Sequence, residues 1–69
     1  MNSIDVVING AAAHTGANTL LALLQEREMA LDAAFACAIN NTFVPRPNWP
    51  VCPLAAGDRI DIVAPITGG

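Results

Sequence analysis

The sequence predicts an α+β fold in which a mixed sheet of four to five strands packs on one main helix. Three observations predict it: β-branched runs near both ends of the chain, a single leucine-rich stretch at helical spacing between them, and a length of only 69 residues. A chain this short holds one domain. One helix covers only one face of a sheet, so we expect a two-layer structure.

A hairpin is predicted at the start of the chain. Residues 4–8 are β-branched and alternate imperfectly, which favours a strand. Asn9-Gly10 follows directly, and this pair tolerates the positive φ angles of a tight hairpin turn. Residues 11–14 are the predicted returning strand, and residues 15–18 a loop.

One helix is predicted after this loop. Asn18 or Thr19 can cap it by accepting a backbone N–H from its first turn. We expect the helix to end near Arg27 or Met29. Its apolar stripe consists of Leu20, Leu21, Leu23 and Leu24.

The second half of the chain contains the remaining strands. Residues 35–39 and 42–44 are predicted strands separated by an Asn-Asn turn, and residues 59–64 are the predicted last strand. Four prolines exclude a central strand over residues 45–53, which we expect to cross the surface irregularly. The first and last strands are both strongly apolar, as adjacent central strands are. This order of elements indicates a β-grasp fold.

Composition excludes several classes of function. The net charge is −3, and the three positive charges are all arginines. Nucleic-acid binding and anionic membranes are therefore disfavoured, since both need a basic surface. No apolar stretch approaches the roughly 20 residues that span a bilayer, and the first residues do not form a signal peptide. We expect a cytoplasmic protein.

The end of the sequence, Gly68-Gly69, is the strongest candidate for a working group. Without Cβ atoms, two glycines let the backbone enter a narrow channel and leave the terminal carbon open to approach. A carboxylate must first be activated, typically as an acyl-adenylate, before a nucleophile attacks it. We therefore expect a domain over residues 1–64 and a flexible tail over residues 65–69, although glycine is also common at frayed termini.

Two valines and one arginine are candidate partner-binding residues. Val7 and Val63 fall on the outward face of the first and last strands, where they would form an exposed apolar patch beside the tail if the strands are neighbours. Arg46 and Trp49 belong to residue types that anchor interfaces, although Trp49 is expected to cap the edge of the core. Arg46 is equally compatible with a contact role and a solvated one.

No metal site or catalytic residue is predicted. His14, the single histidine, has no cysteine or acidic cluster at ligand spacing and no evident nucleophile partner. Cys37 and Cys52 are interpreted as a small apolar filler and a loop thiol. No glycine-rich phosphate loop is present, so ATP would have to be bound by a partner.

Four segments carry a resemblance to a known family: Ala38-Ile39-Asn40, Val44-Pro45-Arg46 with Trp49, Ala56-Gly57-Asp58-Arg59-Ile60 and Gly68-Gly69. They resemble the ThiS family of sulfur carriers of thiamine thiazole biosynthesis, part of the ubiquitin-like ThiS/MoaD group. The similarity covers nearly the whole chain, and the terminal Gly-Gly is shared with the wider group. Pro47, Pro50, Pro53 and Pro65 depart from the pattern.

The resemblance implies a carrier that is a protein co-substrate and not an enzyme. A ThiF-like adenylating enzyme would use ATP to activate the Gly69 carboxylate, and a sulfur donor would convert it to a thiocarboxylate. A ThiG-like thiazole synthase would receive the sulfur. Thr67 and Gly68 would belong to the tail, and Ile66 would contact the partner with Val7, Val63 and Arg46. The carrier would bind no cofactor and be a monomer when free.

Three other functions stay open at this stage. The chain could be the small subunit of molybdopterin synthase, which shares the fold and the thiocarboxylate tail, although the Val44-Pro45-Arg46 segment with Trp49 argues against it. It could be a protein modifier that forms isopeptide bonds through Gly69, or an interaction module with an inert tail.

Overall fold

The computed structural model describes residues 3–29 and 34–63. Ala64, predicted in the last strand, and the predicted tail over residues 65–69 lie outside the described residues. The elements in chain order are β1 (Ile4–Ile8), β2 (Ala11–Thr15), α1 (Leu20–Glu26), β3 (Ala36–Ile39), β4 (Thr42–Val44), a 3-10 helix (Arg46–Val51) and β5 (Arg59–Val63).

The strands form one mixed five-stranded sheet in the order β2-β1-β5-β3-β4. β1 and β5 are parallel neighbours near the middle, with Val7 opposite Arg59 and Ile8 opposite Ile60. The other pairs are antiparallel. The prediction that the first and last strands are adjacent is therefore confirmed.

Asparagine residues form both hairpin turns. Asn9 and Gly10 have φ angles of 50° and 83°, and Asn40 and Asn41 have φ angles of 52° and 68°. Asparagine and glycine tolerate this left-handed region better than other residues. The Asn9 side-chain oxygen also accepts the backbone N–H of Ile62 at 2.7 Å. The first turn is thereby tied to the last strand.

Helix α1 is short and strongly capped. The Thr19 hydroxyl accepts a backbone N–H from the first turn at 3.2 Å. The helix ends at Glu26, slightly earlier than expected, because Glu28 turns into the left-handed region with φ 58°. The N–H of Met29 then reaches back to the carbonyl of Leu24 at 3.0 Å, which is the closing bond of a Schellman motif.

The prediction of an irregular crossing over residues 45–53 is wrong in part, because Arg46–Val51 form a 3-10 helix. Proline fixes φ near −65°, which suits a 3-10 helix, and its missing N–H costs nothing in a first turn. The bond from Asn48 N–H to the Pro45 carbonyl, at 2.8 Å, closes this turn. A strand is excluded here as predicted, but a regular element replaces it.

The core lies between the inner face of the sheet and the two helices. Trp49 is only 2% exposed and belongs to the core, while Leu54 packs against it from the loop that follows. No helix within residues 3–29 and 34–63 is long and apolar enough to cross a bilayer. The buried apolar residues are Val6, Ile8, Leu20, Leu23, Leu24, Cys37, Val44, Trp49 and Ile60.

Candidate docking site beside the last strand

An open cavity of about 450 Å³ lies where β5 ends. Val63, the last residue of β5, is 62% exposed and pairs with Ala36 of the neighbouring antiparallel strand. Ala34, Phe35 and Arg46 complete the lining. Val63 is the last described residue before the predicted tail in the sequence, so the cavity lies at the end of the described domain that precedes the tail.

Arg46 is held in this cavity by aromatic rings. Phe35 and Trp49 stack with ring centroids 5.1 Å apart, and the Arg46 guanidinium carbon lies 5.2 Å and 4.6 Å from these centroids. Its Nη2 also donates to the Phe35 carbonyl at 3.4 Å. A cation over aromatic faces contributes about 0.5–1 kcal/mol at an exposed site. The rings therefore fix a positive charge at an otherwise apolar cavity.

Trp49 positions this cluster from below. Its indole N–H donates to the Val44 carbonyl at 3.0 Å, which satisfies the polar group inside the core. Trp49 thus packs against both the Phe35 ring and the Arg46 guanidinium from the core side. The burial of Trp49 agrees with the structural role that its sequence context predicts.

Of the residues predicted to bind a partner, the structure describes Val7, Arg46 and Val63 and brings two of these three together. Arg46 and Val63 line one cavity. Val7 shares the outward face of the sheet with Val63, but its partner on β5 is Arg59. Arg59 precedes Val63 by four residues, which is about 13 Å along the strand. The two valines do not form the joint patch that strand adjacency alone suggested. Ile66, Thr67, Gly68 and Gly69 lie outside the described residues.

The expectation that His14 has no nucleophile partner is wrong, because the structure places a serine hydroxyl beside its ring. His14 Nδ1 lies 2.6 Å from Asp5 Oδ1, and His14 Nε2 lies 2.7 Å from Ser3 Oγ. The sequence does contain the signal: a two-residue turn at Asn9-Gly10 pairs residue 8 with residue 11, and counting outward pairs Asp5 with His14. Elsewhere in the described ranges, as here, no group of three or more His, Cys, Asp or Glu could hold a metal ion.

The comparison with known families covers almost the entire chain. Residues 5–69 match the model of the ThiS family. The chain belongs to the ThiS family. This match supports a sulfur-carrier role in thiamine biosynthesis and is consistent with a small carrier protein. No curated protein sequence matches the chain.

A solved structure shows the same fold as this ThiS-family chain. It is the thiamine biosynthesis protein ThiS from Geobacter metallireducens, with a TM-score of 0.81 and 19% sequence identity over 96% of this chain and 100% of that chain. At this identity the likeness establishes the fold alone. The predicted β-grasp fold is confirmed.

The two thiols of the ThiS-family chain differ in access. Burial raises the pKa of the Cys37 thiol, an effect partly offset by the nearby Arg46 charge. Burial also raises the pKa of the Cys52 thiol, and Asp58 adds to the rise. Cys37 is 1% exposed, whereas Cys52 is half-buried. Since the thiolate is the nucleophile, both residues are poor nucleophiles at neutral pH.

Iodoacetamide is expected to alkylate Cys52 before Cys37 in the folded protein. The buried Cys37 thiol reacts only when the fold opens, whereas the accessible Cys52 thiol reacts as soon as it is deprotonated. Because both pKa values are raised, labelling should accelerate as the pH increases above neutrality. Mass spectrometry of peptides from timed samples measures both rates, and denatured protein provides the control in which both thiols react alike. Equal labelling of the two cysteines in folded protein would contradict the burial of Cys37.

Proposed function

We propose that this protein carries sulfur for thiamine thiazole synthesis on the carboxyl group of Gly69. The observation that carries the proposal is the ThiS-family match, which extends over residues 5–69 and so includes the terminal Gly-Gly. It favours the thiamine pathway over the molybdopterin-synthase subunit, the protein modifier and the inert module. The carrier is a co-substrate, and catalysis belongs to its partners.

The chemistry proceeds in two steps on the terminal carbonyl carbon. A carboxylate oxygen of Gly69 attacks the α-phosphorus of ATP and displaces pyrophosphate, which forms an acyl-adenylate on a ThiF-like adenylating enzyme. Hydrosulfide, whose sulfur comes ultimately from cysteine, then attacks the carbonyl carbon, expels AMP and loses its proton. The resulting thiocarboxylate delivers its sulfur to a ThiG-like thiazole synthase.

ATP is proposed to bind to the activating enzyme and not to the carrier. Gly10, Gly16 and Gly57 are separated in the sequence, so the described residues contain no glycine-rich loop of the kind that surrounds phosphates. The carrier then needs only to present its tail. We propose that it does so in the cytoplasm and as a monomer when free.

The cavity beside Val63 is proposed as the surface that docks on the activating enzyme. Val63 and Phe35 offer apolar area, and Arg46 offers a charge already held in place by two rings. Interface anchors are enriched in arginine and aromatic residues. Six residues follow Val63 in the sequence, a span of roughly 20 Å when extended. A partner bound here would have the terminal carboxylate within reach of its own active site.

Val63→Asp is expected to weaken binding to the activating enzyme at least tenfold. The substitution removes apolar contact area and places an unpaired charge in the interface, and tenfold corresponds to about 1.4 kcal/mol. Isothermal titration calorimetry measures the dissociation constant. Val51→Asp is the matched control, because Val51 is 75% exposed but lies on the 3-10 helix outside the cavity. Equal binding by the two variants would place the docking surface elsewhere.

Intact-mass spectrometry tests the proposed function directly. The protein is incubated with a ThiF-like activating enzyme, ATP and a sulfur donor, and a second sample omits ATP. The carrier is expected to gain the mass difference of one sulfur-for-oxygen exchange, located at Gly69 by fragmentation and absent without ATP. An unchanged mass under conditions in which another ThiS-family carrier is converted would refute the proposal.

A further inference from the structure

Three side chains on the outward face of the β1–β2 hairpin have the connectivity of a hydrolytic triad. Ser3 precedes Asp5 by two residues, so both point to the same face of the sheet, and Asp5 is paired with His14 across the hairpin. The His14 ring bridges the other two, with Nε2 2.7 Å from the Ser3 hydroxyl and Nδ1 2.6 Å from the Asp5 carboxylate.

The tautomer of the His14 ring sets the direction of proton transfer. An ionised carboxylate only accepts, so the hydrogen between Asp5 and His14 belongs to Nδ1. In the neutral ring Nε2 is then the acceptor for the Ser3 O–H. This is the arrangement of nucleophile, base and orienting group that activates serine in unrelated folds.

Space for a small acyl donor lies beside these groups. An open cavity of about 520 Å³ is lined by Asp5, His14, Ala12 and Ala13. The two alanines are small, which leaves room for an aryl or short acyl group next to the imidazole.

We infer that Ser3 is a nucleophile that accepts small acyl groups from activated esters, with His14 as general base and Asp5 as its orienting group. Ser3 Oγ attacks the ester carbonyl carbon, and its proton passes to His14 Nε2. The tetrahedral intermediate expels the alcohol, which takes the proton from Nε2, and an acyl-Ser3 ester remains. Water attacks this ester by the same route and releases the acid, so the net reaction is ester hydrolysis.

The site is open to solvent, which limits the expected rate. The side chains of His14 and Asp5 are 63% and 88% exposed. Its acceleration is therefore that of a positioned general base, about 10²- to 10⁴-fold. This site lies on the same outward face as the cavity beside Val63 but towards the opposite end of the parallel strands β1 and β5, and it does not depend on the proposed sulfur-carrier function.

Acetylation by p-nitrophenyl acetate tests the inference on the full chain. Peptide mass spectrometry is expected to place an acetyl group on Ser3, well ahead of exposed Thr42, which serves as the internal reference hydroxyl in the same sample. Fragmentation separates this product from acetylation of the amino terminus. Acetylation of Ser3 no faster than that of Thr42 would overturn the inference.

Three variants assign the roles. Ser3→Ala should lose the acetylated site, and His14→Gln, which keeps a polar side chain without a base, should slow acetylation of Ser3 about 100-fold. Asp5→Asn should also slow it, because the amide no longer fixes the hydrogen on Nδ1. Far-UV circular dichroism verifies that the variants fold. An unchanged rate at Ser3 in folded His14→Gln would show that the hydrogen bonds are structural only and would also overturn the inference.

Discussion

Replacing Trp49 by alanine is expected to remove a large part of the stability of the domain. Trp49 is 2% exposed, stacks on Phe35 and donates its indole N–H to the Val44 carbonyl. Truncation of a buried tryptophan costs about 3–5 kcal/mol. A chain of 69 residues has a total free energy of unfolding of only about 3–10 kcal/mol. The loss therefore amounts to between about a third and all of this free energy, and Trp49→Ala should unfold at a much lower urea concentration than the wild-type protein.

Urea denaturation followed by far-UV circular dichroism measures this loss, since the variant has no tryptophan fluorescence. Trp49→Phe separates the ring from the hydrogen bond, because it retains aromatic packing but leaves the Val44 carbonyl without its donor; about 1–3 kcal/mol should be lost. Phe43→Ala is the control for aromatic truncation, because Phe43 is 63% exposed on β4. A Trp49→Ala variant as stable as Phe43→Ala would mean that Trp49 is not part of the core.

Local sequence signals were sufficient to predict most of the fold. The Asn9-Gly10 pair, the leucine stripe after Thr19 and the apolar first and last strands each required only neighbouring residues and general propensities. These signals agree with one another, and such agreement across levels is what makes a small fold predictable. The sheet with β1 beside β5 follows from them because only this order buries both apolar strands.

What the sequence analysis missed depends on register or on competing backbone preferences. Proline was treated as a breaker of strands, and its compatibility with a 3-10 helix at residues 46–51 was overlooked. Val7 and Val63 were grouped because their strands are adjacent, but adjacency does not specify register, and the register separates them by four residues. The Asn9 side chain bonds to Ile62, a partner 53 residues away, which local propensity does not encode.

The candidate docking site was also predictable only in part, because its residues could be identified from the sequence but their contacts could not. Val63 could be identified from the alternation of β5, and Arg46 from its place in the segment shared with the ThiS family. Their meeting in one cavity required Phe35 and Trp49 to stack beneath Arg46. The approach of His14 to Ser3 and Asp5 was in principle predictable by counting back from the hairpin turn, which shows how much one well-defined turn determines.

Deletion of Gly69 is expected to reduce thiocarboxylate formation by at least about 100-fold. The shortened chain still ends in a glycine carboxylate, that of Gly68, so the chemical nature of the reacting group is unchanged. Only its position differs, by about 3.5 Å. A displacement of about 1 Å from a productive geometry can cost roughly 100-fold in rate. The size of the loss therefore measures how strictly the activating enzyme requires the terminal carboxylate to lie at a fixed distance from the docked domain.

The initial rate of sulfur-for-oxygen exchange, followed by intact-mass spectrometry with the activating enzyme and ATP, measures this effect. Gly69→Ala is the matched variant, because it preserves the length of the chain and adds one methyl group beside the reacting carbonyl; its loss should be smaller than that of the deletion. Both variants should unfold at the same urea concentration as the wild-type protein, since the buried apolar residues that the structure describes all lie within residues 6–60. Conversion of the deletion variant at the wild-type rate would show that the position of the terminal carboxylate is not what the activating enzyme recognises.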